Sequence, residues 1–589
     1  MATYDLLIRN GQIVDGTGAP SFIADLAIRD GHIAEIAPGI DAADAHETID
    51  ADGHIVTPGW IDPHTHFDGQ ATWDDKMDPV FGHGTTTVVM GNCGVGFAPI
   101  RPGAQNELID IMEGVEDIPF GALSEAIPWG SWESYPEYLA YLDQRSYTID
   151  IGSQIPHGAL RAYVMGSDNL FDKQASPEEI ERMAALVGEA VEAGALGVST
   201  SRVIGHRAMS GESVPGTYAS EHELTRFAEA MARVGRGVLQ CIPGGSFGTS
   251  GGLYVDPQTT EQEMSMLARI SRSTGRPVTF TTFQVPEAPH EYRYILDRAT
   301  EENGKGAQLH PQIAARPPGI LVSLGGYHPL MRRETYLKIA HLPLAERVAE
   351  MRKPEMKAAI LSDKDMLDAG AGAAENYVVQ YLANLMGHLV PLGEQVDYEP
   401  DTARFVSAIA RERGDTDQSV VYDSLLELDG ANVLMLALTN YVDSNLNAAR
   451  EMFLHPTTVS GLGDAGAHCK FICDASIPTF VLSHYVRDRT RGDRIPIEQA
   501  VAKLSAQTAD VYGLNDRGRL QAGKRGDINI IDMEKIGIDL PRMHWDMPLG
   551  SGRLLQKARG YKATLVKGVV TRRDGEDTGA RPGRLVRPS

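Results

Sequence analysis

The sequence predicts an α/β protein in which a run of helix-then-strand units is flanked by two β-rich ends. Three observations carry this expectation. The middle of the chain repeats an amphipathic helix, a glycine stop and a short apolar strand; the first 57 residues alternate short strands with tight turns; and that strand-and-turn texture returns from about residue 526.

Taken in order, "YDLLIRNGQIVDG" breaks at Asn10-Gly11, and Asp30-Gly31 and Asp52-Gly53 repeat the device. Such pairs tolerate the positive φ of two-residue hairpin turns. "TTTVVMGNCG" (85–94) reads as a buried strand. Helix–strand units then follow at 177–201, 220–244, 260–283 and 299–317, with Ser220 and Glu223 spaced as a capping box. Units of this length predict a parallel barrel or a doubly wound sheet. Residues from about 327 to 400 are mainly helical and break the alternation, so they read as an insertion, either a lid or a subunit interface that leaves a homo-oligomer open. The expected organisation is a small β domain from 1–57 plus 510–589 around a central domain of 58–509.

Bulk composition narrows the partners. The 589 residues carry a formal charge of −25, which disfavours nucleic acid and anionic membranes because both call for a basic patch. Four cysteines are too few for a disulfide framework. Asp5 and Arg9 interrupt the first apolar run, and no run approaches a membrane span, so the expected setting is cytoplasmic and the expected partner a small molecule.

In a parallel barrel, chemistry gathers at the C-terminal ends of strands. "GHIVTPGWIDPHTH" ends one strand with His64 and His66, two residues apart and therefore able to face one point. "TTTVVMGNCG" ends another with Cys93, and "TTVSGLGDAGAH" ends a late one with Asp464, four residues before His468. Two imidazoles, a thiolate and a carboxylate form a donor set suited to Zn²⁺.

Together with "NGQIVDGTG", "DADGHIVTPGWIDPHTHFD" and "GRLQAGKRGDINIID", these motifs resemble the amidohydrolase superfamily. Within it, "GHGTTTVVMGNCGVGFAP", "IPHGALRAYVMG", "GALGVSTSR" and "PGTYASEHEL" are most similar to the D-aminoacylase, or N-acyl-D-amino-acid deacylase, group. The resemblance implies a distorted (β/α)₈ TIM barrel with a small β-sandwich domain built from both termini. It implies His64 and His66 as metal ligands, Cys93 as a bridging ligand, and Asp464 as ligand and general base. The reaction implied is attack of a metal-bound hydroxide on the amide carbonyl of an N-acyl-D-amino acid, with Asp464 then protonating the leaving amine.

The chain departs from that pattern where the family supplies one histidine each from the fifth and sixth strands. The corresponding segments, "GVLQCIPGG" and "RPVTFTTFQ", contain none. Cys241 reads as a buried apolar cysteine rather than a substitute, and Thr281 and Thr282 replace imidazole poorly. The expectation is therefore one zinc on His64, His66 and Asp464, with Cys93 beside it, rather than two.

Arg202, His206, Tyr218, His310 and His468 are the candidates for substrate binding. A bidentate arginine suits a carboxylate, and His206 and His310 are equally open to metal ligation. His157 is expected to make a structural hydrogen bond and His83 to belong to a turn; Cys469 and Cys473 read as local packing. Two other readings stay in play: hydrolysis of a different amide, such as a cyclic amide, a peptide or a xenobiotic amide, and a catalytically inactive ligand-binding barrel.

Overall fold

The computed structural model describes residues 3–171, 174–244, 259–366 and 373–587. The N-terminal segment forms β1 (Tyr4–Ile13), β2 (Phe22–Arg29), β3 (His32–Ala37), β4 (Ala45–Asp50) and β5 (Ile55–Pro58). Of the three turn signals, only Asp30-Gly31 closes a hairpin, between β2 and β3. Asn10-Gly11 lies inside β1, where the register against β2 shifts and Asn10 takes φ 55°. The left-handed residue and the small one are absorbed as a bulge, since a Cβ on Gly11 would meet Val56 at 2.6 Å. Asp52-Gly53 links β4 to β5, which follow one another along β1, both parallel to it.

A parallel series follows: β6 (Trp60–Asp62), β7 (Thr85–Met90), β8 (Asp150–Ser153), β9 (Ile155–Pro156), β10 (Gly197–Ser201), β11 (Val238–Ile242), β12 (Val278–Thr281) and β13 (Leu309–Ile313). β6, β7 and β8 pair in that order, and β9 to β13 do the same in a second sheet. Helices Pro177–Ala193, Glu221–Val234, Thr260–Thr274 and Glu291–Gly304 precede β10 to β13, as the repeated units predict. Ser220 caps the second of these, but Glu223 does not complete the box. Its carboxylate turns inward instead to His157 and Arg161, which are fully buried with it.

The alternation is then interrupted more widely than the sequence suggests. β14 (Gly319–Val322), β15 (Val390–Pro391) and β16 (Leu434–Ala437) form a three-stranded antiparallel sheet that frames the helices of the insertion. Ile320, Val348, Val406, Val421 and Leu436 belong to a core of their own within it. Residues 367–372 of the expected insertion lie outside the described residues. β17 (Val459–Ser460) then returns to pair with β13, and beyond it Ala465 bridges to Thr65 just past β6.

The C-terminal segment supplies β18 (Ile528–Ile531) and strands Tyr561–Val566, Val569–Arg573 and Glu576–Asp577. β18 pairs antiparallel with β5, so one nine-stranded sheet draws on both ends of the chain. Leu6, Ile8, Leu26, Val56, Ile530 and Leu565 fill its core. Among the described residues no helix is long and apolar enough to cross a membrane.

Candidate metal centre

The two histidines of "HTH" sit on an extended segment just past β6 rather than within the strand. Thr65 between them donates its backbone N–H and its hydroxyl to the Val89 carbonyl, at 3.1 and 2.9 Å. The chain is also laced to the loop after β17: His66 N–H donates to Ala465 O at 2.7 Å and Asp464 N–H to His64 O at 3.2 Å. With Thr65 pinned on both sides, the flanking imidazoles project to the same side.

There the donors converge. His64 Nε2 lies 3.4 Å from Asp464 Oδ1 and 3.4 Å from Cys93 Sγ. His66 Nε2 lies 3.8 Å from each of the same two atoms. The ligand atoms of His64, His66 and Cys93 fall within 4.8 Å of one another. The histidines are almost wholly buried, whereas the Asp464 side chain keeps 22% of its exposure, which leaves it open to an incoming molecule.

The outward-facing ring nitrogens fix both imidazoles. His64 Nδ1 lies 2.9 Å from Gln312 Oε1, an acceptor, so Nδ1 carries the proton and Nε2 offers its lone pair. Gln312 projects from β13 and donates in turn to Thr279 and Tyr512. His66 Nδ1 faces Glu116 Oε1 at 3.5 Å, and the second Glu116 oxygen lies 3.4 Å from His468 Nε2. Glu116 ends helix Gln105–Glu116 and is 1% exposed.

The backbone is also committed to this geometry. Cys93, Asp464 and His468 all hold positive φ (56°, 44° and 48°), which is unfavourable for side chains other than glycine by of order 1–3 kcal/mol each. The Cys93 loop is held by Asn92, whose amide donates to Thr65 O and Val89 O. Gly463 permits close passage over Asp62, since a Cβ there would lie 2.1 Å from Asp62 Oδ2.

The electrostatics of these side chains follow from burial against pairing. Burial would raise Asp464, but the hydrogen bond from His66 and the neighbouring imidazoles outweigh it and hold the carboxyl at about 2. Burial holds His64 down at about 4. For His66 burial is overcome by Glu116 and Asp464, which push it up to about 9. Burial raises Glu116 to about 7 and, with Glu116 alongside, pushes the Cys93 thiol well above its ordinary value.

Among the expected substrate residues, His206 and His468 come to this site. His206 donates to or accepts from Ser201 Oγ at 2.9 Å; burial, then the charges of His468, His66 and their neighbours, set its pKa at about 3. Arg202 is buried and committed to Glu263 at 2.8 Å and to the Ala219 carbonyl, a geometry that serves packing between helix and strand. His310 precedes Gln312 on β13, toward the strand's N-terminal end, beside Thr457 and Lys503. Tyr218 accepts from Gln174 through its carbonyl.

His157 makes the expected structural hydrogen bonds, to Thr200 and Glu223, and His83 closes a short 3₁₀ turn, bonded to Thr479 and Gln556. Cys241 lies in the apolar core. Its neighbour Gln240 takes the alternate face, level with Thr279, and both of its amide atoms are buried without a partner. Glu116 and Gln312 are the residues that sequence reasoning assigned no role at the centre. The i, i+2 spacing of Gln312 from His310 was its one signal; Glu116 had none, because only the tertiary fold brings that helix end to the site.

The amidohydrolase family matches residues 47–572 of this sequence. The chain belongs to the amidohydrolase family. The amidohydrolase is accordingly a hydrolase of carbon–nitrogen bonds. It is similar to the D-aminoacylase of Alcaligenes xylosoxydans xylosoxydans, 26% identical over 597 residues that cover 99% of this chain and 97% of that one. It is equally similar to the N-acyl-D-glutamate deacylase of the same organism, 26% identical over 591 residues covering 99% and 96%. Among solved structures it resembles a D-aminoacylase mutant in complex with copper chloride (TM-score 0.63, 22% identity, 99% and 100% coverage). It also resembles the N-acyl-D-glutamate deacylase of Bordetella bronchiseptica complexed with zinc and a phosphonate inhibitor (TM-score 0.61, 24% identity, 99% and 100% coverage). The amidohydrolase thus has the α/β fold of these enzymes.

Proposed function

We propose that the protein is a zinc-dependent amide hydrolase acting on an N-acyl-D-amino acid or a related acyl amide. The observation that carries this is the convergence of His64 Nε2, His66 Nε2, Cys93 Sγ and Asp464 Oδ1 on one point, with both outward ring nitrogens facing oxygen acceptors. The full-length similarity to a D-aminoacylase and its deacylase relatives supports the acyl amide class. The parallel strand order with the Thr65–Ala465 bridge supports a distorted (β/α)₈ barrel at 58–509, and the shared terminal sheet supports a β domain from 1–57 plus 510–589.

The donors fit the ion. Two imidazoles, a thiolate and a carboxylate match zinc chemistry, and the residues around them orient the ligands as metal sites require. When bound, zinc supplies Lewis acidity that polarises a carbonyl and eases deprotonation of water. The chain's own part follows from position. His64 and His66 present fixed lone pairs, Cys93 adds negative charge, and partly exposed Asp464 accepts the proton of the attacking water. Asp464 then returns that proton to the nitrogen of the leaving amine. His206 and His468 line the approach and hold the polar groups of the substrate. Neither β11 nor β12 carries a histidine, which favours one tight ion over two.

A second reading, hydrolysis of a different amide, is favoured by Arg202, whose guanidinium is engaged with Glu263 instead of being presented to a substrate carboxylate. Amine release from N-acetyl-D- and N-acetyl-L-amino acids, with and without added zinc, separates the two. Turnover confined to D-substrates upholds the first reading; turnover of other amides alone replaces it.

A further inference from the structure

A cavity of about 670 Å³ lies between the helical insertion and the hairpin around residues 541–554. That volume is in the range of small-molecule sites. None of the four converging donors lines it, yet the two places meet at the turn after Asp464. Lys470 forms part of the cavity wall, and the Phe471 ring lies between those of His468 and Tyr327, at 5.2 and 5.5 Å.

Three features of the wall point to one kind of ligand. Apolar side chains are presented at the surface: Leu337, Leu344 and Trp545 keep 39%, 37% and 63% of their exposure. Such residues grouped at a cavity mark a binding surface rather than ordinary surface scatter. Second, the charge lining is one-sided. Arg332, Arg347, Lys470 and Arg542 contribute to the wall, and no described lining residue is acidic. Arg347 donates one arm to Tyr336 Oη at 3.0 Å and to the Ala340 carbonyl, while its Nε is buried without a partner.

Third, His328 lines the cavity at 1% exposure with both ring nitrogens unpartnered. Its ring stands edge-on to Tyr336, with centroids 4.6 Å apart. Burial, helped by the charge of Arg347, keeps this imidazole neutral, so it offers one N–H donor and one lone pair. Buried polar atoms of native proteins ordinarily have partners, and a ligand can supply them.

We propose that this cavity binds a monoanionic organic acid with an apolar or aromatic body. Its carboxylate is held by Arg347 and Lys470, His328 donates a neutral hydrogen bond, and the apolar body lies along Tyr336 and Trp545. The site is separate from the hydrolytic centre and does not depend on the reaction proposed there.

Calorimetric titration of the full chain with phenylbutyrate and with its uncharged twin, phenylbutanamide, tests this. The expected result is one saturable site for the acid, with the amide weaker by about tenfold or more, the ratio that loss of a charge-assisted contact produces. R347Q and K470M each weaken the acid by about tenfold, R347K recovers part of the loss, and the H64A/H66A double variant binds as the parent does. Should R347Q not fold, K470M and R347K carry the comparison. Equal affinity for acid and amide, indifference to the Lys470 and Arg347 changes, or no saturable binding would overturn the proposal. Loss of binding in H64A/H66A would place the ligand in the hydrolytic centre and overturn it as well.

Discussion

Glu116 Oε1 stands 3.5 Å from His66 Nδ1, and both side chains are sealed from solvent. A carboxylate behind the outward nitrogen of a ligating imidazole fixes the tautomer and raises ligand basicity. The pair therefore ties a helix end remote in sequence to the metal centre.

Replacing that carboxylate tests the tie. Glu116→Gln keeps the shape but removes the charge behind His66 and beside His468. Zinc affinity, measured by competition with a chromophoric chelator, is expected to fall roughly 10–100-fold, with the fold retained. An unchanged affinity would show that Glu116 does not set the ligand.

Zinc stoichiometry follows from what stands on β11 and β12. With no histidine on either strand, the wild-type protein is expected to hold one tight zinc per chain, and H64A/H66A none. Elemental analysis after exhaustive dialysis reads this directly; a full second tight equivalent would contradict it.

Cys93 is a thiol kept protonated by its surroundings until a cation arrives, so its coordination is visible. The cobalt-substituted wild type is expected to show a thiolate-to-metal charge-transfer band that Cys93→Ser abolishes while retaining metal through His64, His66 and Asp464. A band surviving the substitution would remove Cys93 from the ligand set.

Glu223 bears on stability rather than chemistry. It is buried against His157 and Arg161 at 2.7–2.9 Å; burial would raise its pKa, but these partners hold it at about 2. A carboxyl depressed on folding contributes stability above its unfolded value near 4.5, lost as pH falls toward 2. Glu223→Gln leaves Arg161 buried without its anion and is expected to cost about 3–5 kcal/mol near neutral pH. Urea midpoints for both proteins at about pH 7 and about pH 3 check the magnitude and its narrowing in acid.

Much of this architecture was legible because local signals agreed with the global fold. The four helix–strand units announced themselves through amphipathic period and glycine stops. "HTH", Cys93 and Asp464 fell at strand ends, where the chemistry of parallel sheets gathers. The misreadings have local causes. Asn10-Gly11 has the dipeptide of a hairpin, yet pairing with β2 resumes at Ala24 and continues to Phe22, so it became a bulge. Glu223 matched a capping box, but a buried arginine and histidine competed for its carboxylate. Glu116 and His328 carried no spacing signal at all, because each acquires meaning only from elements packed against it.

The account stands most directly on the rate of amine release from N-acetyl-D-amino acids by zinc-loaded wild type and by Asp464→Asn at equal zinc content. It predicts turnover by the wild type and a loss of about 10²–10⁴-fold in the variant, the range of a general acid–base contribution. Equal rates in the two proteins would contradict it.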